Sequence, residues 1–392
     1  MNICFVIDNI FPSHGGVGRT TERFSKKLKE KGHNVILIAS EDNVNKPGIQ
    51  KIDGLKIYRL PGMKIPFTGG IYYQAYPKKS EIEKVLENEK IDVIILITYA
   101  WLGAVMRKYA KKHNIPFTTA VHFQPENVTE RLKFEFISLK KAISKWTAFV
   151  SNQSEEIITP SLFAKKMLEA SGVKSKINVI SNGICLDDFD PDKVDRGLFR
   201  KEFKLNDEKI FLFVGRLMPE KNIQLLLNAF SKIDWSDPKN EKLKLVIVGT
   251  GDYEKELYAK TKELKLDDKV LFTGKIDDTQ LKRAYRDCDF FILPSLAELE
   301  GMVVLEAMAM GAPVLVAGGP GSAAPFLLDE GGNGYVFDPH DADALSKLII
   351  KMSRSDELQK KMANHSLKKI KAYDINKSIE MIEEVLERII NS

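Results

Sequence analysis

Short apolar runs rich in valine and isoleucine alternate along this chain with longer segments of helical period. In the first half the runs lie at 3–7, 35–39, 92–97, 117–121, 149–150 and 177–180. Helical spacing of apolar positions predicts helices over 19–31, 80–89, 104–113, 129–145 and 162–171. The first strand leads through a loop over 9–18 into the first helix, which Gly32 closes. After a polar stretch from Leu186 to Asp207 the alternation resumes. Strands are expected at 210–214, 244–248, 270–273, 290–293, 313–317 and 335–337. Helices are expected at 222–233, 253–264, 279–287, 305–310, again after Asp341, and last at 375–390. Continuous Val/Ile runs suit strands buried on both faces of a parallel sheet. Strand and helix in alternation predict βαβ units and doubly wound sheets. The expected fold is therefore α/β, with two Rossmann-like domains facing each other across a cleft. The first takes residues 1–186 with 373–392 returning to it as a C-terminal helix, and the second takes 187–372.

A length of 392 residues suits two domains of ordinary size. The hydrophobic share of 44% and charged share of 29% are those of a globular protein. The apolar stretch from Val93 to Met106 is shorter than the roughly 20 residues of a membrane helix. The start reads as a strand rather than a signal peptide, because no basic residue precedes it and Asp8 interrupts it. Cys4, Cys185 and Cys288 have neither metal nor redox spacing, which suits reduced thiols in the cytosol. The net charge of +5 is uneven: 28 basic against 20 acidic residues over 1–190, and 31 against 34 beyond. The basic half inclines toward an anionic partner. Nucleic acid is not expected, since the charge is mild and no aromatic–basic interleaving is present.

The candidate chemistry gathers after strands. Glu298 and Glu306 lie eight positions apart, with Gly301 between them and an apolar run leading into a helix. A helix start after a strand and a glycine turn offers unpaired N–H groups and a favourable dipole to an anion. Carboxylates accept hydrogen bonds from hydroxyls. Phosphate on amides and hydroxyls on carboxylates is what a nucleotide-sugar would need. Arg216 and Lys221 lie five apart across the turn Gly215–Asn222, where both can point at one anion. Gly249-Thr250-Gly251 is a further glycine turn after a strand. Gly15-Gly16-Val17-Gly18 permits close backbone approach but lacks the G-x-G-x-x-G spacing of a nicotinamide site. His122 follows a strand at its carboxyl end, where α/β sheets bind ligands. Leu132, Phe136, Leu139, Ile143 and Trp146 form one helical stripe, with Arg131, Lys133, Lys140, Lys141 and Lys145 around it. Such a stripe is either the core face of a domain helix or a face that lies on an anionic bilayer. Asp287-Cys288-Asp289 has D-x-D spacing but precedes a buried strand and reads as structural.

Together these motifs resemble the retaining glycosyltransferases of family 4, which have the GT-B fold. The resemblance spans nearly the whole chain. It rests on Glu298 and Glu306 with Gly215-Arg216 and Glu220-Lys221 upstream, and on Gly15-Gly16 with Lys31-Gly32-His33-Asn34-Val35. Ser181-Asn182-Gly183-Ile184 with Phe189-Asp190-Pro191, and Asn333-Gly334-Tyr335, add to it. The resemblance implies that Gly16 approaches the donor diphosphate and that Arg216 and Lys221 neutralise it. It implies amides near Gly301, Met302 and Val303 on phosphate, Glu306 on the ribose hydroxyls, and Ile276 by the nucleobase. It places Glu298 on the transferred sugar and His122 facing that sugar from the first domain. Such enzymes retain configuration, commonly by front-face displacement, and usually need no metal. Two departures stand out. Leu299-Glu300-Gly301-Met302 replaces the Phe-Gly that many relatives have, and Gly321-Ser322-Ala323-Ala324-Pro325 replaces a Pro-Glu pair. The pieces around Glu300 and Ser322 look more like the glycolipid-forming branch.

The resemblance therefore implies a hexosyltransferase moving glucose or galactose from a UDP-sugar to a diacylglycerol- or ceramide-like lipid, giving an α-linked glycolipid. No cofactor or metal is expected beyond the nucleotide-sugar cosubstrate. The expected partners are that donor, the lipid acceptor and an anionic membrane surface, met by Leu132, Lys133, Phe136, Lys140, Lys141 and Trp146. The protein is expected in the cytoplasm, peripheral on the inner face of the cell membrane. A transferase using GDP-mannose or a UDP-sugar on a polyprenyl-linked, capsule or lipopolysaccharide intermediate is the alternative within the class. A nucleotide-sugar epimerase or hydrolase, or an inactive binding protein, are the alternatives outside it.

Overall fold

The computed structural model describes residues 1–10, 16–42, 46–65, 73–124 and 137–392. They form two compact units: Met1–Asn182 with Asn376–Ser392, and Gly183–Ile375. These divisions fall a few residues from the expected 186/187 and 372/373.

The strands of the first unit are β1 (Asn2–Val6), β2 (Asn34–Ser40), β3 (Gly48–Ile52), β4 (Leu55–Leu60), β5 (Gly62–Lys64), β6 (Tyr73–Ala75), β7 (Val93–Leu96), β8 (Phe117–Ala120), β9 (Glu156–Thr159) and β10 (Lys176–Val179). Eight of them make one sheet in the order β10-β9-β8-β7-β1-β2-β4-β3, and β5 pairs with β6 apart from it. All neighbours in the large sheet are parallel except β3 with β4. The order reverses at β1, which lies between β2 and β7. The helices are α1 (Gly16–Glu30), α2 (Lys79–Leu86), α3 (Trp101–Lys112), α4 (Ile137–Ser151) and α5 (Leu162–Ser171).

Several expectations need correction here. Residues 149–150 lie in the last turn of α4, not in a strand. Thr147, Ala148, Val150 and Ser151 are buried, a helical spacing that a two-residue apolar run cannot reveal. Gly16, Val17 and Gly18, expected in the first loop, belong to α1. Strands β3 to β6 and β9 were not expected. In β4 the basic residues Lys56 and Arg59 mask the period, and Arg59 is in fact buried, donating to the carbonyls of Ile10 and Ser40.

The second unit carries β11 (Lys209–Val214), β12 (Leu243–Val248), β13 (Val270–Gly274), β14 (Phe290–Leu293), β15 (Val314–Ala317) and β16 (Gly334–Phe337). Its sheet runs β13-β12-β11-β14-β15-β16 and is parallel throughout. Around it lie α6 (Leu198–Glu202), α7 (Ile223–Ser231), α8 (Glu254–Glu263), α9 (Asp278–Asp287), α10 (Met302–Ala309), α11 (Ala342–Ser353) and α12 (Asp356–Lys369). The four inner strands β12, β11, β14 and β15 are almost wholly buried, and Phe211 of β11 stacks on Phe290 of β14 with ring centres 4.9 Å apart. Asp287 accepts from the N–H groups of Gly197 and Phe199 at 2.6 and 2.9 Å, so the first acid of the D-x-D holds the start of α6. Asp289 pairs with Arg200 at 2.8 Å.

The last helix, α13 (Ile375–Ile390), belongs from Asn376 onward to the first unit. Arg388 donates to Glu156 of β9, and Glu383 meets Lys31 and His33 after α1. No helix among the described residues is long and apolar enough to cross a membrane.

Candidate functional site

In the second sheet the strand order reverses between β11 and β14. Ligands of open α/β sheets bind in the crevice at the carboxyl ends of such a pair. The turn Gly215–Asn222 leaves β11 and the turn Pro294–Gly301 leaves β14, so both motifs flank this point. They are tied together by backbone. Leu296 N–H donates to the Glu220 carbonyl at 2.9 Å, and the Ser295 hydroxyl donates to the same oxygen at 3.4 Å.

Lys221 lies at the end of a 3-10 turn, Pro219–Lys221. Its Nζ is 2.6 Å from Glu298 Oε1 and 3.5 Å from Ser295 Oγ. Both side chains of the pair are largely buried, at 17% and 15% exposure. A pair so placed has good geometry and little screening, and removing one member leaves the other charge uncompensated. Arg216 is about half exposed, with its guanidinium 3.7 Å from Glu220. Each cation thus has a carboxylate of its own.

The glycines of 249–251 are required by packing. A Cβ at Gly249 would overlap the Gly215 carbonyl oxygen, and one at Gly251 would overlap that of Leu217. Gly249 also has φ +134°. The segment packs backbone to backbone on the Arg216 turn, with Leu217 N–H donating to Thr250 O at 3.0 Å. It braces that turn from behind. The unusual Gly321–Pro325 segment does the same for Glu298. Glu298 N–H donates to Gly321 O at 3.1 Å, and Ala323 N–H donates to Glu298 O at 2.7 Å.

Gly301 caps α10 with φ +94°, a conformation that favours glycine. Met302 and Val303 form the first turn of α10, and Glu306 lies one turn in. The Glu306 side chain is buried, and Oε2 accepts from the Tyr285 hydroxyl at 3.0 Å. Tyr285, on α9, was not among the sequence candidates. It lies 21 residues away on another helix, and no motif marks it. Glu300 is buried too. Ile276 follows β13 and packs partly buried against the core of this unit.

In the first unit, Gly16 opens α1, and a Cβ there would meet nothing within 4 Å among the described residues, so their packing does not demand the glycine. His122 follows β8. Its Nδ1 is buried without a hydrogen-bond partner among the described residues, and burial pushes its pKa down to about 4. The ring is neutral at neutral pH and can give or accept a hydrogen bond without bringing charge. It lines a small cavity with Phe5, Thr20, Thr21, Phe24 and Ile382. Asp8 lies just past the end of β1, where its Oδ2 accepts from Thr98 and its Oδ1 is buried without a partner among the described residues. Burial raises its pKa to about 6, against the lowering effect of Thr98.

Leu132, Lys133 and Phe136 lie outside the described residues. Lys140, Lys141 and Trp146 are on α4. Trp146 is 51% exposed and Phe149 is 62% exposed, with ring centres 5.8 Å apart. Lys141 and Lys145 are exposed beside them. Trp146 is therefore not on the core face of its helix. That face is made by Thr147, Ala148, Val150 and Ser151.

Two family profiles divide the chain between them. Residues 14–188 match Glycosyltransferase Family 4, and residues 195–369 match Glycosyl transferases group 1. The chain belongs to the GT-B glycosyltransferases that pair these two domains, and it is a transferase. The alpha-monoglucosyldiacylglycerol synthase of Streptococcus pneumoniae is 28% identical over 82% of this chain and 72% of its own length. A GDP-mannose-dependent alpha-mannosyltransferase of Corynebacterium glutamicum is 26% identical over 91% of this chain and 83% of its own. The crystal structure of Anabaena HepE in complex with UDP-glucose superimposes with a TM-score of 0.78 at 18% identity. That match covers 99% of this chain and all of the other.

Proposed function

We propose that this transferase moves a hexose, glucose or galactose, from a UDP-sugar to a lipid of the diacylglycerol or ceramide kind, retaining the anomeric configuration. The observation that carries the donor half is the largely buried Lys221–Glu298 pair at the switch point, beside the start of α10, where the cap Gly301 brings no side chain to the first N–H groups. A diphosphate meets Lys221, Arg216 and the amides of Met302 and Val303, the ribose meets Glu306, and the base lies by Ile276. The acceptor hydroxyl oxygen bonds to the anomeric carbon as the bond from that carbon to the diphosphate oxygen breaks. The hydroxyl proton passes to the departing diphosphate. Lys221 and Arg216 stabilise the charge that develops there, which is the largest change of the step. No side chain of this set is a metal ligand in this scheme.

The acceptor half is supported by the exposed Lys141, Lys145, Trp146 and Phe149 of α4, by the basic bias of residues 1–190, and by the diacylglycerol in the pneumococcal relative's name. An interfacial helix with aromatic and lysine side chains on one face binds anionic bilayers. The HepE complex supports uridine, whereas the corynebacterial relative's name points to GDP-mannose. Thermal stabilisation by UDP, GDP, ADP and their hexose conjugates decides between them, because a ligand that binds only the folded state raises the melting temperature. A shift with UDP and one UDP-hexose is expected. A shift with GDP-mannose alone replaces the donor, and no shift with any of them removes the reading.

A further inference from the structure

Among the described residues Tyr285 is the largest of the fully buried side chains. A buried phenol needs a hydrogen-bond partner, and any carbonyl of the core would serve. Its partner here is instead the Glu306 carboxylate, at 3.0 Å. The last torsion of a glutamate is broad and roughly two-fold, so the backbone of α10 does not by itself fix the plane of this carboxylate. A hydroxyl held at one oxygen does.

The phenol is in turn held in place. Its ring lies 5.8 Å from that of Phe291 and 6.4 Å, edge on, from that of Phe189. The start of α9 is fixed by a capping box: Asp277 accepts from Gln280 N–H at 2.8 Å, and the Gln280 side chain accepts from Asp277 N–H at 3.1 Å. At its end Asp287 is tied to the start of α6. The hydroxyl therefore cannot follow a carboxylate that swings.

We infer that Tyr285 is a positioning residue, which sets the plane of the Glu306 carboxylate and through it the grip on the ribose hydroxyls of the donor. The inference rests on the donor reading above. Calorimetric titration of UDP and of 2′,3′-dideoxy-UDP tests it on the wild type, Tyr285→Phe, Glu306→Gln and the double variant. GDP or ADP with the matching dideoxy analogue takes the place of UDP if the wild type prefers it. Tyr285→Phe weakens UDP about tenfold, as loss of a hydrogen bond to a charged group does. It leaves dideoxy-UDP unchanged, and the double variant binds UDP no worse than Glu306→Gln alone. Equal weakening of both nucleotides would mean that Tyr285 acts by packing only, and unchanged UDP affinity would mean that it does not position Glu306; either result overturns the inference while the donor reading stands. A wild type that binds UDP and its dideoxy analogue equally removes Glu306 from the ribose, and the inference with it. A wild type that binds none of the three diphosphates removes the donor reading itself.

Discussion

Along the carboxyl edge of the second sheet the charges come with partners: Lys221 with Glu298, Arg216 with Glu220, Glu306 with Tyr285. Along the same edge of the first sheet, Asp8 and His122 each bury an atom that has no partner among the described residues. Burial drives both toward neutrality, the acid upward and the imidazole downward. One edge is built to keep charge in place, and the other to keep it out. A diphosphate leaving group calls for the first kind. A hydroxyl of a sugar or an acceptor calls for hydrogen bonds, which neutral groups supply.

Breaking the charged edge should have the largest effect. Lys221→Ala lowers kcat/KM about 10²- to 10³-fold, the size seen when one preorganised electrostatic group is removed. Glu298→Ala mainly lowers turnover, and the double variant is less impaired than the product of the single effects, because the two share one contact. Initial rates of hexose transfer measure all three, and near-normal kcat/KM in Lys221→Ala would remove the proposed site. The bracing of that edge is the next target. Gly249→Ala forces a Cβ onto the Gly215 carbonyl at φ +134° and costs about 3 kcal/mol in denaturant unfolding. Gly16→Ala, where a Cβ meets nothing within 4 Å among the described residues, stays within about 0.5 kcal/mol. Equal costs would erase the difference between a glycine that packing demands and one that it does not.

The neutral edge is sharpened by pH. The folded pKa of Asp8 is raised, so its contribution to stability is greatest when it is protonated and is lost as pH rises from about 4 to about 6. The folded pKa of His122 is lowered, so its contribution is full above the ordinary histidine value and is lost as pH falls toward about 4. The two slopes oppose each other over the same range. Asp8→Asn should abolish the first and leave the second. Relative to the wild type it then gains about 2 kcal/mol between pH 4 and pH 7. A melting temperature that varies with pH alike in both proteins would show that Asp8 is not held toward its protonated form.

The sequence shows the two edges unequally, for a physical reason. Strands β11 and β14 are continuous buried runs, so the turns that follow them, with Arg216, Lys221 and Glu298, fall where the pattern places them. The bracing is not visible in the same way. Gly249-Thr250-Gly251 looks like a phosphate loop in one dimension, and only the overlap with Gly215 and Leu217 shows backbone packing. Tyr285 reaches Glu306 from another helix, so no spacing rule finds it. In the first unit, β9 is four residues long and starts with a glutamate, and β4 carries a buried arginine. Both defeat a reading by hydrophobic period. The end of α4 reads as a strand because Phe149 and Val150 are adjacent and apolar, yet one faces solvent and the other the core.

That exposed Phe149 leads to the change with the least effect on the fold. Lys141, Lys145, Trp146 and Phe149 contribute little to the core of their unit. Replacing Lys141 and Lys145 by Glu, or Trp146 and Phe149 by Ala, leaves the melting temperature nearly unchanged, since exposed substitutions stay within about 0.5 kcal/mol. Their effect is on vesicles of anionic lipid. Each lysine near such a surface contributes about 1 kcal/mol, so reversing both weakens vesicle binding by more than tenfold at low salt. The aromatic pair loses buried apolar area instead, and its effect persists at high salt, where the lysines are screened. Vesicle co-flotation at two salt concentrations separates these two contributions. Wild-type protein that floats, with both variants floating equally well, would move the membrane contact off α4. Wild-type protein that does not float at low salt would remove the membrane from the reading and leave the charged edge of the second sheet as it stands.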